Sequence, residues 1–131
     1  TLSSGRPLTE YDLQQFILRR IHDAGMITSS PPIAAVNAHS ADPHYGPTAT
    51  HSAGITRDNL VLIDLWAKRT EPGSVYGDIT WTGFTGATVP SRIEEVFETV
   101  RRGRDAAVEA FTRVLVDDRE LVDAQPAAAR S

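Results

Sequence analysis

The chain has 131 residues, 40% of them hydrophobic and 23% charged, with a formal net charge of -4 and no cysteine. That size and composition fit one globular domain with its own core, and the lack of thiols excludes disulfides, thiolate metal sites and cysteine nucleophiles and makes the cytoplasm the expected compartment. The acidic balance argues against nucleic acid as a partner, and no apolar run approaches membrane-spanning length.

The first element is TEYDLQQFILRRIHDAG. Thr9 and Asp12 stand at capping-box spacing, Leu13, Phe16, Ile17 and Ile21 share one helical face, and Gly25 is the expected stop. The next stretch, MITSSPPIAAVNAHSADPHYGPT, is too rich in proline for a helix, and within it Ile33 to Val36 reads as a short strand. Leu60 to Ala67 and Val75 to Phe84 read as two strands joined around Glu71-Pro72-Gly73 as a hairpin. A long amphipathic helix follows from PSRIEEVF, with Ser91 and Glu94 at capping-box spacing. Ile93, Val96, Phe97, Val100, Ala107, Ala110, Phe111, Val114 and Leu115 keep its 3.6-residue period. The cluster Arg101, Arg102 and Arg104 reads as the solvated face of that helix. Beyond Asp118 the pattern weakens, and Pro126 interrupts ELVDAQPAAARS. The sequence starts at Thr1 with its only methionine at Met26, so it is expected to be processed, trimmed or a piece of something longer.

Each hairpin strand carries an aspartate in its middle, Asp64 in LVLIDLWAK and Asp78 in YGDITWTGF. Strand interiors are depleted in aspartate, because a carboxylate among apolar side chains must be desolvated or find a partner. Alternation puts Leu62, Asp64 and Trp66 on one face and Tyr76, Asp78, Thr80 and Thr82 on one face of the second strand. A hairpin folding about Glu71 sets Asp64 directly across from Asp78, where like charges repel. Protonation of one carboxylate, an inserted Arg57, Lys68 or Arg69, or a cation between them would relieve the repulsion, and a shifted register would avoid it. His39, His44 and His51 lie close in sequence, and three histidines near such a hairpin could also form a mononuclear His/Asp site.

LVLIDLWAK, the Asp-Ile-Thr of YGDITWTGFTG, the upstream Pro-His-Tyr at residues 43–45 and the later RGRDAAVEAF together resemble the pita-bread metallopeptidases. That family includes methionine aminopeptidase, X-Pro aminopeptidase, prolidase and creatinase, and the resemblance runs from about Leu8 to Ala124, nearest to the X-Pro aminopeptidase and prolidase side. It implies an α+β fold, an antiparallel hairpin-containing sheet covered by helices, with residues 1–131 forming a single partial domain, the first α/β half of the catalytic domain. It further implies that Asp64 binds one of two divalent metals (Mn, Co, Zn or Fe), that Asp78 bridges both, that His44 contacts the substrate as a catalytic residue and that Thr80 orients a carboxylate. The implied chemistry is hydrolysis of an amide bond by metal-activated water on peptides with proline in the second position.

Two departures stand out. Thirteen residues separate Asp64 from Asp78, more than is common in the family, and Trp81 and Gly83 follow the Asp-Ile-Thr where basic or bulky residues are frequent. The family's remaining ligands, one histidine and two glutamates, come from a second half that these residues do not include. Glu94, Glu95, Glu98 and Glu109 read as exposed helix positions, not ligands. A homodimer, or association with the missing C-terminal half, is therefore expected. The alternatives are a non-catalytic half-fold serving as an interaction or dimerisation module, and a creatinase-like C–N hydrolase that works without metal.

Overall fold

A computed structural model describes residues 7–123, with side chains described as far as Leu115. They form α1 (Glu10–Asp23), β1 (Met26–Ile27), β2 (Ile33–Val36), a 3-10 turn (Asn37–Ala41), β3 (Leu60–Arg69), β4 (Gly77–Phe84) and α2 (Ser91–Asp123). The chain divides between Val89 and Pro90 into two compact units, one holding α1 and the sheet and the other α2.

In the first unit the expected capping box closes α1. The Asp12 amide donates to the Thr9 hydroxyl at 3.1 Å, and the Thr9 amide donates to the Asp12 carboxylate at 2.9 Å. Gly25 follows with φ +68, a left-handed conformation that costs glycine little. The buried stripe of α1 differs from the expected one. Glu10, Gln14, Ile17 and Ile21 are its buried residues, whereas Phe16 is 53% exposed. Ile17 and Ile21 form the apolar core with Ala67, flanked by Leu13, Met26, Ile63 and Leu65. The first half of the helix buries polar groups instead, and the Gln14 amide donates to the Pro32 carbonyl at 2.9 Å.

β3 is the centre of an antiparallel sheet and pairs with β1 at Lys68 and Arg69, with β2 from Val61 to Asp64 and with β4 from Leu60 to Ala67. Its odd-numbered residues Ile63, Leu65 and Ala67 pack with α1, so Leu62, Asp64 and Trp66 occupy the opposite face. The hairpin register corrects the expected facing pair. Asp64 stands opposite Thr80, and Asp78 stands opposite Trp66. The Ser74 amide donates to the Glu71 carbonyl at 3.2 Å, and Gly73 has φ +82. Proline second and glycine third fit a type II turn. The ladder closes at Ala67 opposite Gly77, so pairing pivots about Pro72, one residue later than Glu71. A pivot moved by one residue moves each partner by two, which changes the neighbour and preserves the face.

In the second unit α2 begins at Ser91, and the Pro90 carbonyl accepts from the amides of Ile93 and Glu94. Ser91 is therefore the first helical residue and not the expected cap. The helix continues without a break to Asp123, past the predicted weakening at Asp118; Pro126 lies outside the described residues. Its arginines are paired along the helix, Arg101 with Glu98 at 2.8 Å and with Asp105 at 3.0 Å, and Arg113 with Glu109 at 2.5 Å. These spacings are one helical turn, the geometry of a charged outer face. Hydrogen bonds and charge from Arg101 hold the Glu98 carboxyl below its usual range, and Arg104 with Arg101 does the same for Asp105.

Candidate functional site

The face of β3 and β4 turned away from α1 carries Asp64, Asp78 and Thr80. The Thr80 hydroxyl donates to Asp64 Oδ1 at 2.8 Å, which fixes the rotation of a half-buried carboxylate. Asp78 is exposed and takes no hydrogen bond or ion pair among the described residues. Opposite it, the Trp66 indole N–H donates to the Ser29 hydroxyl at 3.0 Å. Asp64 and Asp78 thus sit on a cross-strand diagonal, where backbone positions are roughly 7–8 Å apart and side chains can converge.

No basic side chain neutralises this pair among the described residues. The Lys68 ammonium, in phase with Asp64, lies over the Tyr76 ring at 5.3 Å from its centre, and neither Arg57 nor Arg69 pairs with either aspartate. An attractive ring face and open solvent at the strand end compete well with a partly buried carboxylate for that ammonium. The salt-bridge explanation of the two aspartates is therefore not realised. What remains is an oriented hard-oxygen ligand beside an unpartnered one, a donor set suited to divalent cations. The two carboxylates fit part of a metal centre, since no three His, Asp or Glu side chains among the described residues gather closely enough to hold a metal by themselves.

His44 lies in the stretch from 37 to 59 that joins β2 to β3. Its amide donates to Asp42 Oδ1 at 2.9 Å, its side chain is exposed, and the following Tyr45 is buried. The structure does not gather His39, His44 and His51 around the hairpin aspartates. His39 instead places Nδ1 2.9 Å from Glu10 Oε1 and stacks on Tyr45 with ring centres 4.2 Å apart, while the His51 ring lies 6.2 Å from His39. A fully buried carboxylate captures the nearest imidazole because it must be hydrogen-bonded from every side.

That carboxylate, Glu10, is the feature the sequence reading missed. It is wholly buried and accepts from the Val36 amide at 2.7 Å, the Ala53 amide at 2.7 Å and the Tyr45 hydroxyl at 2.5 Å, besides His39. Burial by itself pushes its pKa up, but the bonds from Tyr45, Ala53, His39 and Val36 together outweigh burial and hold it below the usual carboxylate range. Burial and the neighbouring Glu10 charge push the Tyr45 phenol up. An acidic residue in a first helical turn is ordinary and gives no hint of such a role. The one signal in the sequence is phase, since positions 10, 14, 17 and 21 fall on a single helical stripe.

No curated protein matches the sequence. The family model described as metallopeptidase family M24 matches residues 2–119, nearly the whole chain. With that match and the antiparallel sheet carrying Asp64 and Asp78 on one face, the chain belongs to metallopeptidase family M24, whose fold is the pita-bread arrangement and whose members generally bind divalent metals.

Proposed function

We propose that this chain supplies Asp64 and Asp78 to the dinuclear metal centre of an X-Pro aminopeptidase or prolidase-like exopeptidase of the cytoplasm. The observation that carries the reading is the hairpin face itself. Asp64 is oriented by Thr80, and among the described residues Asp78 has no hydrogen-bond or ion-pair partner and no basic side chain offsets their charge. In this reading Asp64 and Asp78 would hold the two divalent metals (Mn, Co, Zn or Fe), and Thr80 would keep Asp64 in its ligating rotamer. Divalent metals held there supply an acidified water and a polarised amide carbonyl. His44 hydrogen-bonds the peptide and the oxyanion that develops at the scissile carbonyl. The remaining ligands come from outside these 131 residues. By themselves the two carboxylates are expected to bind metal weakly and to hydrolyse little or no peptide.

The test is hydrolysis of a matched pair of peptides, X-Pro and X-Ala, by the full-length gene product with Mn or Co. Cleavage confined to the X-Pro peptide, and lost on chelation, is the expected result. Metal-independent cleavage would favour a creatinase-like hydrolase, and none at all would favour a non-catalytic module.

Association is part of the same proposal. Ile79 and Trp81 on β4 are 51% and 69% exposed. β4 also leaves its outer edge unpaired among the described residues. Exposed apolar surface and an open strand edge favour pairing with a second copy or a further half-domain. Sedimentation of the 131-residue chain is expected to show self-association, and a stable, well-folded monomer would contradict it.

A further inference from the structure

We propose that Glu10 is a positioning residue for His44, acting through Tyr45; this rests on the reading that His44 meets the substrate. Residues 37–59 contain one short 3-10 turn and otherwise irregular chain, a length at which connections are ordinarily mobile. Here one carboxylate ties that stretch down along its length. Glu10 accepts from the Val36 amide just before it, from His39 near its start, from the Tyr45 hydroxyl in its middle and from the Ala53 amide towards its end. The helix backbone adds to the grip, because the Glu10 amide donates to the Ala53 carbonyl at 3.0 Å and Ile55 donates to the Leu8 carbonyl at 2.7 Å.

The consequence for His44 follows from the turn in which it sits. His44 is exposed, Tyr45 buried, Gly46 exposed and Pro47 buried. His44 is the third residue of a turn over residues 42–45, so drawing Tyr45, its fourth residue, inward onto Glu10 fixes the end of the turn that presents His44 outward. The His44 amide is meanwhile bound to Asp42, and the Tyr45 amide donates to the Asp42 carbonyl at 3.1 Å. The histidine is therefore held from Asp42 on one side and from Tyr45 on the other. A carboxylate suits this role because it only accepts, offering about four lone-pair sites to four donors, whereas the amide of glutamine would turn N–H groups towards other donors.

The test uses Tyr45→Phe, which keeps the ring and removes only the donated hydrogen bond, and Glu10→Gln. In ¹⁵N relaxation of the 131-residue chain, the His44 amide is expected to fall from an order parameter of about 0.85 to below about 0.6 in either variant, with the amides of Asp78 and Thr80 unchanged. A His44 amide as rigid in both variants as in the parent chain overturns the proposal. In the full-length gene product Tyr45→Phe is expected to lower X-Pro hydrolysis roughly 10- to 100-fold, the scale of a small misplacement of a reacting group, and mainly in kcat. Its effect should vanish in a His44→Ala background, because a residue that works only through His44 has nothing left to position. Additive losses overturn the proposal. Unchanged hydrolysis in His44→Ala alone removes the catalytic reading of His44, and the relaxation measurement then decides the role of Glu10 separately.

Discussion

Glu10→Ala is expected to lower the unfolding free energy at neutral pH by about 3–5 kcal/mol, the range for removing one partner from a buried charged network. The substitution leaves the Val36 and Ala53 amides and the Tyr45 hydroxyl without their acceptor, all close to a carboxylate that is wholly buried. Each unsatisfied buried donor costs about 1–3 kcal/mol, and water entering the vacated space recovers part of that. Against a total stability of about 5–15 kcal/mol for a domain, this is the largest single loss expected in the first unit. Urea titration of both proteins measures it, and a difference under about 1 kcal/mol would mean that the network rearranges at little cost.

The same residue sets an acid limb. Its folded-state pKa lies below the unfolded value of 4.5 because its hydrogen bonds outweigh burial. A depressed carboxyl contributes stability that is present above the unfolded pKa and is lost as pH falls through the folded pKa. The parent chain should therefore lose stability below about pH 4.5, and Glu10→Ala should lack that component, so the two curves converge in acid. Glu98 and Asp105 are depressed too, but they are exposed partners of arginines on α2. Salt screens their contribution and leaves that of Glu10 in place, which separates the two sources.

Asp78→Asn is expected to abolish the response to metal while leaving the metal-free fold intact or firmer. Without a cation, Asp64 and Asp78 are like charges on one sheet face, with no basic side chain between them among the described residues. Neutralising one relieves repulsion worth about 0.2–1 kcal/mol, so the midpoint of thermal unfolding without metal should hold or rise slightly. Added Mn should raise the midpoint of the parent chain by ligand linkage and leave the variant where it was. In the full-length gene product the loss of X-Pro hydrolysis should exceed the roughly 10- to 100-fold expected of Thr80→Val, which removes only the hydroxyl that orients Asp64. A clear fall in metal-free stability in Asp78→Asn would show that the aspartate serves the fold, and the metal reading would fail.

The contrast between these two carboxylates explains which parts of the molecule were legible in advance. Asp78 breaks a local rule, a charge inside a β-rich run, and a broken local rule shows in a sequence without any knowledge of tertiary contacts. Glu10 obeys every local rule, standing in the first turn of a helix behind a threonine cap, so nothing about it looks out of place. The same distinction separates the turn from the register. Glu71-Pro72-Gly73 marks a hairpin plainly, but the register is set by the ladder that closes at Ala67 and Gly77, which puts Asp64 opposite Thr80 instead of Asp78. Phe16 was misplaced for a related reason. Hydrophobicity alone assigned it to the core face, whereas the helix turned to bury Glu10 and Gln14 in phase with Ile17 and Ile21.

By itself the sequence determined the elements that local chemistry encodes: the capped first helix, the Pro-Gly hairpin, the long amphipathic helix, and two aspartates sharing one sheet face. Periodicity, caps and turn residues are properties of neighbours along the chain, and they survive without knowledge of the fold. Only the tertiary structure decided who meets whom across the chain. It set Thr80 against Asp64, left Asp78 without a partner among the described residues, sent His39 to Glu10 and not to the hairpin, and made one buried glutamate the anchor of the loop that carries His44. Those pairings depend on burial, because a carboxylate taken out of water must recruit whatever donors the fold brings within reach.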